Sequence, residues 1–320
     1  MGACEDDSGG SSDLWWAGVL ISIIASIASN LGVNVQKFAL MREAKKAPAD
    51  RRSYLLQPLW FGGLLLVIVG SLGDFVALGF AAQSLITPVG GFTMVANVFF
   101  AHMWLKEALT RKDLMGTGLV IVGVILIAGF ADKRESCFTL DELVELYKEP
   151  PFAVYAVGIA GVGLGLYFLS KYIEKVYATH GAWSEQYARV KMVHKWLYPT
   201  LSGFLGAQSV LFAKSTAELV KATARGENQF DKVATYFIII SMFCTIFMQI
   251  HWLTVGLKWF DAVYVIPVFQ CFFITVTILG GAVYFKELSS FSALQSIMFP
   301  IGVILTIAGI FMLSQRDMSA

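Results

Sequence analysis

The chain has 320 residues, of which 57% are hydrophobic and only 15% charged, and its formal net charge is +1. A soluble domain carries about a quarter charged residues, so this composition, with a mean hydropathy of +0.66, excludes a single soluble core of this size. The near-zero charge offers no electrostatic footprint for nucleic acid; the expected surroundings are membrane lipids.

The first stretch, "MGACEDDSGGSSD" (1–13), has no basic n-region of the kind that opens a cleavable signal peptide. Asp6 stands where an N-myristoylation signal needs Ser or Thr. The tail is acidic and rich in Ser and Gly, and is expected to be disordered. Nine apolar runs follow, at 14–38, 59–81, 85–105, 113–131, 152–172, 196–219, 234–257, 262–285 and 291–313. Each is long enough to cross a bilayer as a helix. The expectation is an all-α polytopic membrane protein with about nine transmembrane helices. It forms a single transmembrane domain over 14–313, followed by a C-tail at 314–320.

Between the fourth and fifth runs, "TLDELVELYKE" (139–149) has a different pattern. Leu140, Leu143, Val144 and Tyr147 recur at helical spacing. Thr139 and Glu142 fit a capping box. This segment reads as a short helix lying along the outer face, with Asp141, Glu142, Glu145 and Glu149 on its solvated side. Among the four cysteines, Cys244 and Cys271 lie in apolar runs and read as buried free thiols; Cys4 and Cys137 lie in polar segments, and no spacing resembles a zinc site.

Most of the 24 Lys and Arg residues fall on one side if the N-terminus is outside. Arg42, Lys45, Lys46, Arg51 and Arg52 lie in one such loop, and Lys171, Lys175, Arg189, Lys191 and Lys195 in another. The positive-inside rule then places the N-terminus outside or in a lumen and the C-terminus in the cytoplasm.

The second half of the chain echoes the first. "GLVIVGVILIAGF" (118–130) resembles "IGVILTIAGIFML" (301–313), and "LKEAL" (105–109) resembles "FKELS" (285–289). Lys37 aligns with Lys214, Pro88 with Pro267, Glu107 with Glu287 and Gly129 with Gly309, at offsets of 177 to 180 residues. The expectation is two inverted four-helix repeats, about 14–131 and 196–313, joined by a linking helix at about 152–172. Inverted repeats are common in secondary transporters, with the substrate near the midplane between the halves. No metalloprotease, nucleophile-elbow or phosphate-loop motif is present, so no enzyme and no cofactor is expected.

Several stretches are more specific: "SNLGVNVQKFAL" (29–40), "QPLWFGG" (57–63), "DFVALGFAAQSLITPVGG" (74–91), "LGAQSVLFAKS" (205–215) and "QIHWLTVGLKWFDAVYVIPVF" (249–269). Together they resemble the NIPA magnesium transporter family of the drug/metabolite transporter superfamily, over roughly 15–313, as a divergent member. The resemblance implies Mg²⁺ as transported substrate, and a plasma-membrane or endosomal location. The family pattern G-E-x-x-N-F appears here as Gly70-Ser71-Leu72-Gly73-Asp74-Phe75. The family's Glu falls on Ser71 and its Asn on Asp74, positions that share a helix face.

Asp74 reads as the sole acid placed deep within a span. Intramembrane acids are costly and functional by default, and Mg²⁺ prefers oxygen ligands, few of them carboxylates. The expected ion path comprises Asp74, Ser71, Asn34, Gln36, Asn97, Gln249 and Gln270. Lys37 and Lys214 read either as snorkelling residues or as charge partners of Asp74. Pro88 and Pro267 are expected to open or kink their spans. Glu107 and Glu287 read as symmetric interfacial charges, and Gly158, Gly161, Gly163 and Gly165 as sites of close helix packing. Three readings stay open at this point. The first is divalent-cation transport by alternating access. The second is transport of a phosphate-bearing or cationic metabolite. The third is a non-transporting scaffold or receptor. A homodimer is compatible with all three.

Overall fold

The computed structural model describes residues 14–46, 57–105, 110–131, 138–181, 183–260 and 262–314. They form eleven helices and, among the described residues, no strand: α1 (Trp15–Ala44), α2 (Pro58–Phe80), α3 (Gln83–Val89), α4 (Phe92–Leu105), α5 (Arg111–Phe130), α6 (Leu140–Lys148), α7 (Pro150–His180), α8 (Glu185–Ala224), α9 (Val233–Trp259), α10 (Ala262–Tyr284) and α11 (Ala293–Ser314). The tails at 1–13 and 315–320, Lys106, Glu107, Cys4 and Cys137 lie outside the described residues, as do the side chains of Lys37 and Asn97.

Seven of these helices are long and apolar enough to cross a membrane: α1, α2, α5, α7, α9, α10 and α11. The chain is therefore a multi-pass helical membrane protein, with seven such helices where the sequence suggests nine. The expected span 85–105 is broken. α3 ends at Val89, Gly90 and Gly91 form a turn, and α4 begins at Phe92. The turn is held by Gly90 N–H donating to the Ile86 carbonyl (2.9 Å) and Gly91 N–H to the Pro88 carbonyl (3.0 Å). The expected span 196–219 is one part of α8, which runs 40 residues. At 1.5 Å per residue such a helix is about 60 Å long, roughly twice the hydrocarbon thickness. Its interior carries buried Lys214 and Glu218, which lower its hydropathy below that of a simple span. Pro88 thus stands just before a break, whereas α10 continues unbroken through Pro267.

The chain forms two compact units. One comprises 13–81, 85–135 and 293–320 and contains α1, α2, α4, α5 and α11. Two antiparallel helix pairs dominate it, and both are made by small residues. In the first pair Gly18, Ala25 and Gly32 of α1 recur every seven residues, as do Gly63, Gly70 and Ala77 of α2. A Cβ built on Gly32 would lie 2.5 Å from the Gly63 carbonyl oxygen, and one on Gly63 2.6 Å from that of Gly32. One on Gly70 would lie 2.6 Å from the Ala25 carbonyl oxygen. In the second pair a Cβ on Gly309 of α11 would lie 2.7 Å from the Gly116 carbonyl oxygen of α5. One on Gly123 would lie 2.7 Å from that of Gly302. Small residues let backbones touch in lipid, where no hydrophobic force drives helices together.

The other unit comprises 82–84 and 136–292, with α6 to α10. α6 is the helix that the sequence announces. Thr139 Oγ accepts from Glu142 N–H, and the Glu142 carboxylate accepts from Thr139 N–H at 2.7 Å, completing the capping box. Its apolar face buries Leu140 and Leu143 against Tyr155, Leu211, Leu219, Ile238, Tyr284 and Phe285. Full burial of each such leucine contributes about 1.5–3 kcal/mol. Two acids at its ends pair with lysines, Asp141 with Lys232 at 2.8 Å and Glu149 with Lys286 at 2.7 Å. Two further expectations are corrected. Among the described residues, Gly158, Gly161, Gly163 and Gly165 have nothing within 4 Å of an added Cβ, so no close helix packing is seen at them there. Cys244 is exposed and Cys271 half-buried, because each sits towards the outer face of its helix.

These contacts separate two kinds of glycine. Gly32→Ala and Gly309→Ala are each expected to cost about 1–3 kcal/mol by overpacking backbone against backbone. Gly158→Ala is expected to be neutral or stabilising by about 0.5–1 kcal/mol, since it only removes backbone entropy. Thermal unfolding of the three variants in one detergent distinguishes them.

Candidate functional site

Polar side chains inside apolar helices gather in two places. The first lies on α1, α2 and the start of α4. Asp74 is half-buried on α2, and its carboxylate accepts a hydrogen bond from Ser22 Oγ of α1 at 3.1 Å. Ser22 itself is fully buried. Among the described residues no Lys or Arg pairs with Asp74. Further along α1, Asn34 Nδ2 donates to Asn30 Oδ1 (2.7 Å) and to the Asn30 carbonyl (3.0 Å). Asn30 Nδ2 in turn donates to the Thr93 carbonyl at 3.0 Å. Thr93 opens α4 immediately after the Gly90–Gly91 turn, and its hydroxyl returns to the Gly90 carbonyl. Both asparagines are buried. The amides of α1 thus satisfy a carbonyl at the place where the α3–α4 backbone departs from a continuous helix.

The second gathering lies on α8, α10 and the loop after α10. Lys214 and Glu218, one helical turn apart on α8, pair at 2.5 Å with side-chain exposures of 1% and 0%. Glu287 is also buried. Its two carboxylate oxygens accept from the backbone N–H of Gln83 (2.8 Å) and of Ser84 (3.0 Å). The Gln83 side chain donates to the Thr277 carbonyl at 2.8 Å. Nearby on α8, Gln208 Nε2 donates to Tyr155 Oη (2.9 Å). Ser209 Oγ donates to Gln249 Oε1 (3.3 Å), and Ser202 Oγ donates to the Gln249 carbonyl (2.9 Å).

The comparisons with known proteins cover nearly the whole chain. The family model described as "Magnesium transporter NIPA" matches residues 13–318. The chain belongs to the NIPA magnesium transporter family. Its relatives include the probable magnesium transporter NIPA8 of Arabidopsis thaliana, 30% identical over 95% of this chain and 70% of that protein. The probable magnesium transporter of Candida albicans is 26% identical over 93% of this chain and 78% of that protein. NIPA-like protein 2 of Homo sapiens is 25% identical over 93% and 73%. No solved structure matches the chain. The family is one of transporters, in keeping with the lack of catalytic motifs in the sequence.

Within this NIPA-family fold the sequence-selected residues separate. Asp74 and Asn34 lie on the facing helices α1 and α2. Ser71 does not join them. It is exposed, and its hydroxyl bonds back to the Val67 carbonyl of its own helix at 2.9 Å. Gln36 is half-buried on α1 beside Gly63. Gln249 belongs to the second gathering, and Gln270 is half-buried on α10. Lys214 is buried, and its ammonium pairs with Glu218 of its own helix. Glu218, at the end of the expected span 196–219, is a second acid buried in a long helix. Its signal was the Lys-x-x-x-Glu spacing at 214–218, which places opposite charges on one helix face. Glu287 is not an interfacial charge, because its carboxylate is enclosed and holds two backbone donors.

Burial pushes the Glu287 carboxyl above the ordinary carboxylate value of 4.5, against the opposing pull of the Gln83 and Ser84 N–H groups and the Lys214 charge. A raised folded-state value means that the folded protein binds the proton more tightly than the unfolded chain. This contribution is fully present below pH 4.5 and is lost as pH rises through the raised value. Wild type is therefore expected to lose stability across that window relative to Glu287→Gln, which has no such titration. Glu287→Ala, which strands two buried N–H donors, is expected to cost about 1–3 kcal/mol at any pH. Melting temperatures against pH for the three proteins check both statements.

Proposed function

We propose that this chain carries Mg²⁺ across a membrane by alternating access between two inverted repeats, and that Asp74 is the carboxylate the ion meets. One observation carries the reading: a half-buried acid in a membrane-capable helix, held by a single neighbouring hydroxyl, in a chain whose relatives are named magnesium transporters. A carboxylate at mid-bilayer costs about 2.5–3.5 kcal/mol on insertion scales. A passing cation offsets that cost. Mg²⁺ keeps several waters and uses one or two carboxylates, so Asp74, Ser22 and a hydrated ion suffice. An inside-negative potential contributes about 2.3 kcal/mol per charge per 100 mV, and twice that for a divalent ion.

The helix packing supports the inverted arrangement. α5 and α11 are the sequence-equivalent ends of the two halves, and they meet antiparallel, Gly116 against Gly309 and Gly123 against Gly302. The break between α3 and α4, with Asn30 on the Thr93 carbonyl, is the kind of discontinuous helix found at transporter sites. The buried pairing of Lys214 with Glu218 supports the ion over a phosphate-bearing metabolite.

Protein reconstituted in liposomes containing a Mg²⁺-sensitive dye, with an imposed potential, tests the proposal. Wild type is expected to admit Mg²⁺, and Asp74→Asn to reduce the flux at least about tenfold, the scale of losing a charged ligand, with unchanged melting temperature. Equal flux in wild type and Asp74→Asn removes Asp74 from the path. No flux in wild type, while ionophore-treated vesicles report Mg²⁺, overturns the substrate.

A further inference from the structure

We infer that Glu287 is a proton-binding site, and that a proton there locks the loop after α10 onto the backbone at Gln83 and Ser84. The carboxylate sits in a notch that glycines make. An added Cβ on Gly281 of α10 would run into Glu287 Oε2 and come within 2.9 Å of Gln83 Cγ. One on Gly280 would lie 3.0 Å from Tyr155 Oη and 3.5 Å from Gln83 Nε2. The glycines thus leave the space that the Glu287 and Gln83 side chains fill. Lys286 brings Glu287 there. Its φ of +54° lies in the left-handed region, which a residue with a Cβ adopts only where its surroundings hold it. The turn carries the N–H groups of Phe285 and Glu287 back to the Gly281 carbonyl, at 3.1 and 3.2 Å.

The notch is short of donors. Gln83 and Ser84 give their backbone N–H groups to the two carboxylate oxygens, and the Gln83 amide nitrogen is used on the Thr277 carbonyl. Gln83 Oε1 and the Ser84 and Thr277 hydroxyls are buried without a hydrogen-bond partner among the described residues. Buried polar atoms are seldom left so. A neutral carboxyl has an O–H to give, where a carboxylate has only lone pairs. The Ser84 hydroxyl is close enough to the carboxylate to act on it, and it accepts an O–H as readily as it donates. Among the described residues, the charged and titratable groups around Glu287 come from three elements. α8 brings Lys214, whose ammonium pairs with Glu218 and whose charge opposes protonation. α7 brings Tyr155, which accepts from Gln208. At the end of α10, Tyr284 donates to the Leu143 carbonyl and the exposed Lys286 pairs with Glu149.

Protonation and docking of the loop are then linked. Enclosed in the notch, the carboxyl keeps its proton above the ordinary value of 4.5, and a loop lifted into water returns it to that value. The proton therefore favours the docked loop. This preference is fully present below pH 4.5 and is lost as pH rises through the raised value. Above it the carboxylate is better hydrated outside the notch, and lifting also relieves the strain at Lys286. Gln83 and Ser84 open α3, so a lifted loop frees the start of that helix. This inference does not depend on which ion is transported.

Two measurements on the detergent-solubilised full-length protein test it. The first is infrared difference spectroscopy against pH, in which a protonated carboxyl shows its own C=O band. The expected result is a band that titrates above pH 4.5 and is missing from Glu287→Gln. The absence of such a band, or its survival in Glu287→Gln, overturns the proton site. The second is hydrogen exchange at 83–84 and 285–289, corrected for the intrinsic pH dependence of exchange. Wild-type protection at both segments is expected to fall by up to about tenfold per pH unit between the ordinary and the raised value, and to level off above it. In Glu287→Gln, a neutral side chain that keeps a donor, protection is expected to stay high at every pH. Wild-type protection that does not change with pH overturns the lock, and this arm needs no variant. An equal fall in Glu287→Gln places the titration on another group and overturns it too. A fall shared equally by α9 reports global unfolding and likewise overturns the lock.

Discussion

Backbone touching backbone is the contact on which the α1–α2 and α5–α11 pairs depend. In water two helices can rely on expelling solvent from between leucines. In hydrocarbon that force is absent, and close packing must replace it. Both pairs solve this with residues that have almost no side chain, repeated every seven positions so that each close approach recurs along the antiparallel crossing. The cost is that these positions tolerate no side chain, and the benefit is a rigid pair whose remaining faces are free to carry polar groups.

In both units several buried polar groups find partners within the protein. Asn30 and Asn34 satisfy each other and a carbonyl at the α3–α4 break. Lys214 and Glu218 neutralise each other within one helix. Glu287 gathers two N–H groups from Gln83 and Ser84. A buried ion pair contributes little net stability, but removing one member strands the other at a cost of about 3–5 kcal/mol. Asp74 stands out against this pattern because its described partner is a neutral hydroxyl. A carboxylate whose described partner is a neutral hydroxyl is the natural meeting point for a cation, and this physical contrast between Asp74 and Glu218 is what supports the proposed role of Asp74.

How much of this the sequence disclosed depends on the range of the interaction. The α6 helix is local, and its Thr139–Glu142 capping box and its Leu140, Leu143 and Tyr147 face are legible in the sequence. The spans were legible where apolar residues run on without interruption. The α3–α4 break was half legible: Pro88 marked the place, but the residues around Gly90 and Gly91 are as apolar as those of a continuous helix. Pro267 marks no such break, since it lies inside the continuous α10. Ser71 was placed by i, i+3 spacing, and spacing alone does not say that its hydroxyl turns back onto Val67. Glu287 could not have been read at all, because its partners lie about 200 residues away in the chain and only folding brings them together.

The α5–α11 crossing also constrains how the two halves can change over time. Under the proposed duplication, residue 122 corresponds to 302 and residue 123 to 303, so the Gly123–Gly302 contact joins almost equivalent positions of the two copies. Each copy is therefore part of the other's environment there. A side chain gained in one half cannot be absorbed by that half alone, and drift at this crossing must be correlated between the halves even where their remaining helices diverge freely.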